Sequence, residues 1–107
     1  MKITELKNVL GTVGLPVVYH SFQSSGEEVK QPPYICWYVK ESDNVAADNK
    51  VTAKLNRCNI ELYTNYKSPE LEQRLEDALD KASIFYDKTE LYIKEEKMFE
   101  VLYEIEI

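Results

Sequence analysis

Ser68-Pro69 opens a segment in which Leu71, Leu75, Ala78, Leu79 and Ala82 fall on one helical stripe. That single stripe constrains the fold more than any other feature of the chain. Serine suits the N-cap and proline the first helical position, because the amide that proline lacks would have no intrahelical partner there. Glu70 with Arg74 and Asp77 with Lys81 stand four residues apart on the polar side, as does Glu72. Truncating Glu72 to alanine is therefore expected to cost under about 0.5 kcal/mol. One long helix with one apolar face must bury that face on something, and the rest of the chain reads mainly as strands.

The C-terminal stretch alternates Phe99, Val101, Tyr103, Ile105 and Ile107 with Glu100, Leu102, Glu104 and Glu106. Such alternation predicts a strand with one buried and one wet face. Tyr34-Ile35-Cys36-Trp37-Tyr38-Val39 is a β-branched and aromatic run suited to a central strand. Val17-Val18-Tyr19 reads as a short first strand, and Ile84-Phe85-Tyr86 and Leu91-Tyr92-Ile93 as strands around a turn at residues 87–90. Ile3, Leu6, Val9 and Leu10 predict a short amphipathic helix over residues 2–10, stopped by Gly11 and Gly14. The expected fold is a single α+β domain spanning residues 1–107. It is a two-layer sandwich, a mostly antiparallel sheet of four to five strands carrying one long helix, with a short N-terminal helix.

Residues 51–63 read as one long strand whose alternation changes phase. Val51, Ala53 and Leu55 share one face, whereas Cys58, Ile60 and Leu62 share the other. A strand serving one core needs a bulge, a strong twist or a change of neighbour to do this. A change of neighbour is the preferred reading. The first half is then expected to project beyond the core and bury Val51, Ala53 and Leu55 against another chain. Eight tyrosines, three phenylalanines and one tryptophan also exceed what one small core hides easily. Tyr34 and Trp37 are expected among the aromatics left for an interface.

Chemistry is sparse. His20 is the single histidine and sits at the mouth of a loop, where a structural or interface role is expected over a catalytic one. Cys36 and Cys58 are not in a CxxC spacing; a cross-strand disulfide is conceivable, but reduced half-buried thiols are the expectation. Glu95-Glu96 reads as a solvated turn. No phosphate-binding glycine pattern occurs, so no catalytic residue, cofactor or metal site is expected. A net charge of −6 disfavours adhesion to phosphate backbones. The first residues lack the apolar run of a signal peptide and no long apolar stretch follows, so the cytoplasm is the expected location and no membrane partner is expected.

Several stretches together are similar to small tail-completion proteins of long-tailed phages and prophages of Gram-positive bacteria. These are Leu15-Pro16-Val17-Val18-Tyr19-His20-Ser21-Phe22, Pro33-Tyr34-Ile35, Ala47-Asp48-Asn49-Lys50-Val51 and Asn59-Ile60-Glu61-Leu62-Tyr63-Thr64. Glu70-Leu71-Glu72 with Leu75, and Glu96-Lys97-Met98-Phe99 leading to Tyr103-Glu104, extend the pattern over nearly the whole chain. Thr52 and Cys58 stand where that pattern has tyrosines.

The resemblance implies a non-enzymatic virion protein, a tail terminator or head–tail joining subunit. Such a subunit forms a hexameric ring that caps the tail tube and offers the surface for head attachment. Its partners would be further copies of itself, the major tail tube protein and a head-completion or connector protein, with DNA sliding through without specific binding. It would act in the host cytoplasm during assembly and remain at the head–tail junction of the virion. Two polar loops suit that role, one containing Ser24 and Gly26, the other Asp43, Asn44, Asp48 and Asn49. The alternatives are a head-completion or minor tail protein, or a prophage-encoded protein that binds a host target. Flanking genes would separate these readings.

Overall fold

In the computed structural model, residues 1–42, 44–47 and 50–107 are described, and the side chains of 45–47 and 50–53 lie outside that description. The chain runs α1 (Ile3–Gly11), β1 (Val17–Tyr19), α2 (Phe22–Ser25), β2 (Tyr34–Ser42), β3 (Val45–Ala47), β4 (Lys50–Ala53), β5 (Asn56–Thr64), α3 (Pro69–Lys81), β6 (Tyr86–Ile93) and β7 (Met98–Glu106). Five strands form the main sheet in the order β1-β2-β5-β7-β6, and β3 pairs with β4 in a separate two-stranded sheet. β1 runs parallel to β2; every other neighbour in the main sheet is antiparallel. This is the expected α+β architecture, with a single helical turn, α2, added inside the first loop.

Both long helices cover the same face of the sheet. Leu75 and Leu79 from α3 and Leu6 and Leu10 from α1 are fully buried. They meet Ile35, Trp37, Ile60, Leu62, Val101 and Tyr103 in the main core. Ser68 caps α3 as its sequence predicts, its hydroxyl accepting from the Leu71 amide at 3.3 Å. Arg74, expected to face Glu70, reaches across the fold: its guanidinium donates to the Val13 carbonyl, tying α3 to the end of α1. Gly14, at φ +89°, leaves room for that guanidinium, since a β-carbon there would stand 2.8 Å from Arg74 Nη2.

Three expectations are corrected. The segment at 51–63 is two strands, β4 and β5, broken at Lys54-Leu55. β4 leaves the main sheet to pair with β3, so the phase change does mark a change of neighbour, but at an interruption and not within a continuous strand. Second, residues 87–90 are not a turn. β6 passes straight through them, and the turn falls at residues 94–97, which includes Glu95-Glu96.

Third, Glu72 is buried, not solvated. Its carboxylate receives Lys67 Nζ at 2.7 Å and Lys88 Nζ at 2.8 Å, and Lys88 also reaches Glu76 at 2.9 Å. Lys67 further pairs with Glu90. The Tyr103 hydroxyl, from the fully buried ring, donates to Glu76 at 2.8 Å. Burial opposes the charge on Glu72, yet the two lysines hold its carboxyl below the usual range. Glu72→Ala is therefore expected to cost about 1–2 kcal/mol, not a few tenths, because two ammonium groups lose the anion between them. The lysines are partly exposed and can turn to water, which keeps the cost below that of a dry ion pair. Urea melts of wild type and variant check this.

Candidate interaction site

The face of the sheet away from the helices has no second full layer. Alternation along β2 and β5 places Tyr34, Cys36 and Tyr38 opposite Tyr63, Glu61 and Asn59 on that face. At its upper end, α2 folds over it. The Ser21 hydroxyl caps this turn by accepting from the Ser24 amide at 3.1 Å, and Gly26 closes it in the left-handed conformation at φ 77°. That brings Phe22 down onto Val18 and Cys36 in a small satellite core. Phe22 meets Tyr34 edge-on with centroids 4.9 Å apart, and Tyr34 meets Tyr63 at 5.1 Å.

Beside this aromatic floor runs an open groove of about 450 Å³, walled by Val29, Ile93 and Met98, with Lys30 and Glu96 at its rim. His20 stands at one end with φ +66°, its Nδ1 3.1 Å from Ser24 Oγ and 3.2 Å from Ser21 Oγ. Ser24 Oγ also lies 3.2 Å from the Ser21 carbonyl. All these partners lie within four residues of His20, which makes the cluster a local device for shaping the loop.

Lower on the same face, the Tyr63 hydroxyl lies 2.9 Å from Glu61 Oε2 and 2.7 Å from Glu100 Oε1. One hydroxyl has one proton. Both contacts are good hydrogen bonds only when one carboxyl is itself protonated and donates to the phenol oxygen. Burial, with Glu100 alongside, pushes the Glu61 carboxyl up to about 7. Glu100, expected on a wet face, is buried. Burial first, then the hydrogen bonds to both carboxylates, drives the Tyr63 phenol well above its usual range. Burial likewise pushes the Cys36 thiol up to about 12, with the Glu61 and Glu100 charges adding to it.

Folded-state Glu61 thus binds a proton that the unfolded chain, near 4.5, releases. Its contribution to stability is fully present below about pH 4.5 and is lost as pH rises through about 7. Glu61→Gln is expected to flatten this decline. Calorimetric midpoints from about pH 5 to about pH 8 test it: parallel pH profiles for wild type and variant would remove the shared proton.

At the opposite end of β2 and β5, the ribbon continues into the β3–β4 arm. The last rungs of the sheet are Glu41 opposite Arg57 and Ser42 opposite Asn56. Arg57 reaches Glu41 at 3.2 Å and Glu106 at 3.5 Å. Asn44 Oδ1 accepts from the Leu55 amide at 3.3 Å where the arm leaves the sheet. A second open hollow of about 470 Å³ lies beside this junction, bordered by Lys40, Asp87, Glu104 and the highly exposed Phe85.

The residues singled out from sequence separate accordingly. Tyr34 lies in the groove floor, and Ser24 and Gly26 belong to the α2 turn. Trp37, expected at an interface, is only 4% exposed and belongs to the chain's own core. Leu55 is half-buried at the root of the arm, and Asn44 is exposed there. Val51 and Ala53 lie in β4 with their side chains outside the description, and Asp43, Asp48 and Asn49 lie outside the described residues. Cys36 faces the satellite core and Cys58 the main core, on opposite sides of the sheet, so no disulfide can join them. Sequence reading missed the Glu61–Tyr63–Glu100 cluster. The Glu61, Tyr63 spacing of two was a visible signal, but Glu100 joins only through the β5–β7 register.

Among the described residues, no three His, Cys, Asp or Glu side chains converge as metal ligands, and no helix is long and apolar enough to cross a membrane. What the site offers is a groove with an aromatic floor and a mixed polar and apolar lining at one end, and the β3–β4 arm at the other. No protein-family model matches this chain, and no curated protein matches it as a relative.

Proposed function

We propose that this chain is a non-enzymatic phage virion assembly protein, a tail terminator or head–tail joining subunit. In this reading it forms a ring on the end of the tail tube and presents the surface to which the filled head attaches. One observation carries it: the β3–β4 arm leaves the five-stranded sheet and pairs only with itself among the described residues. A two-stranded hairpin alone is at best marginally stable in water, so an arm of this kind gains most when a neighbour covers it. The long dimension of 50 Å against 29 and 24 Å fits a subunit that reaches toward a neighbour. The net charge of −6 supports passage of DNA without adhesion, since like charge lowers binding.

Electron microscopy of purified tail tubes, grown with and without the protein, is the test. Added protein is expected to give tubes of fixed length with a closed ring at one end. Unchanged tube lengths and bare ends would reject the reading.

A further inference from the structure

On the face away from the helices, one rung crosses four strands of the main sheet. Tyr38 in β2, Asn59 in β5, Glu104 in β7 and Asp87 in β6 stand opposite one another in that order. Glu104 and Asp87 are direct cross-strand neighbours, both exposed, and like charges so placed repel. Lys40 and Arg57 border the same hollow, yet the ion pairs of the described residues bring a cation to neither carboxylate. Asn59, only 8% exposed, also lines the hollow. Its Nδ2 donates to the Tyr38 hydroxyl at 3.0 Å, and its carbonyl oxygen has no donor among the described residues. Just past α3, Ser83 at φ +59° is followed by Ile84, which takes the buried side. Alternation then sends Phe85 to the opposite face, where it lines the hollow with Asp87 and is 80% exposed.

The next rung on this face shows how the chain satisfies such a pattern by itself. Glu41, Arg57 and Glu106 lie opposite one another across β2, β5 and β7, and the Arg57 guanidinium stands 3.2 Å from Glu41 and 3.5 Å from Glu106. One rung along, asparagine holds the position of that arginine, and the carboxylates of Glu104 and Asp87 remain. We propose that this rung, with Phe85, is the docking point for an arginine side chain carried by a partner protein. A guanidinium is flat and has five donors in a fixed fork. Glu104 and Asp87 supply the charge it needs, the Asn59 carbonyl supplies a further acceptor, and the Phe85 ring supplies a face for it to stack on. Lysine fits less well, since its ammonium is a point charge that cannot stack in this way. The contact stands whether or not the chain caps a tube.

The experiment titrates the whole chain with N-acetyl-arginine amide and follows backbone amide chemical shifts. Saturable shifts are expected at Asn59, Phe85, Asp87 and Glu104, with weaker binding of N-acetyl-lysine amide and none of the uncharged citrulline analogue. Phe85→Ala should weaken the arginine probe by about 2–5-fold, the share a ring contributes at an exposed site. Asp87→Asn with Glu104→Gln should abolish binding. The same double variant should melt at a higher temperature than wild type, because the opposed charges are gone. No saturable shift at these four residues below about 100 mM probe would overturn the proposal, since binding weaker than that is no recognition. Equal binding of the lysine or citrulline probe would also overturn it, as would shifts spread over other acidic surfaces. A lower melting temperature of the double variant would show that Lys40 or Arg57 already satisfies the two carboxylates in solution, and would overturn it as well. Should a variant fail to fold, the wild-type titrations with the three probes decide alone.

Discussion

Leu75→Ala is expected to destabilise the folded chain by about 2–5 kcal/mol, and Leu79→Ala by a similar amount. Both side chains are fully buried where α3 crosses the sheet, and each truncation leaves a cavity that the rigid strands beneath cannot collapse to fill. A domain of this size is stable by only about 5–15 kcal/mol, so either change removes a large share of the total. The thermal midpoint should fall by about 4–8 °C for each kcal/mol lost. Asp77, on the exposed side of the same helix, gives the control: Asp77→Ala should stay within about 0.5 kcal/mol. Equal losses at all three positions would show that α3 does not lie on the sheet by this face.

Trp37→Ala should cost about 3–5 kcal/mol, the loss expected for a buried tryptophan. Its ring lies among the main-core residues and meets Tyr19 edge-on with centroids 4.8 Å apart. The Tyr19 hydroxyl in turn accepts the Val39 amide at 3.2 Å, so the contact helps seat β1 against β2. This outcome separates two roles for one aromatic. An assembly residue would leave the isolated subunit's unfolding curve in place and alter only association. A core residue shifts the curve in a dilute, monomeric sample. Denaturant melts at low concentration, where any oligomer has dissociated, make the distinction, and an unmoved midpoint would return Trp37 to the interface.

Helix α3, the strand at 34–39 and the C-terminal strand were legible in the sequence because their signals are local: a cap, a periodicity, an alternation. The errors fall where a residue's surroundings come from elsewhere in the chain. Asp87, Lys88, Thr89 and Glu90 look like a turn because polar composition marks turns, but β6 is an outer strand and these residues are exposed on it. Glu72 looks like a surface residue until Lys67 and Lys88 arrive from outside the helix. The phase change at 51–63 marks where the chain leaves the main sheet for the β3–β4 pairing, yet the break at Lys54-Leu55 carries neither glycine nor proline to announce it. The groove was beyond sequence reading altogether, since its floor exists only through the register that sets Tyr34 beside Tyr63.

The two rims of the main sheet are unequal, three residues long at β1 and eight at β6. A long bare rim invites another strand to add to it, and repeated addition is how soluble chains turn into fibres. Along β6 the charges of Asp87, Lys88 and Glu90 interrupt that invitation, and Lys88 is held inward by Glu72 and Glu76. Crowded copies of this chain should therefore remain dispersed along that rim, so that exchange of Asp87 and Glu90 for threonine or valine, with Lys88 kept, would turn a concentrated clear solution cloudy.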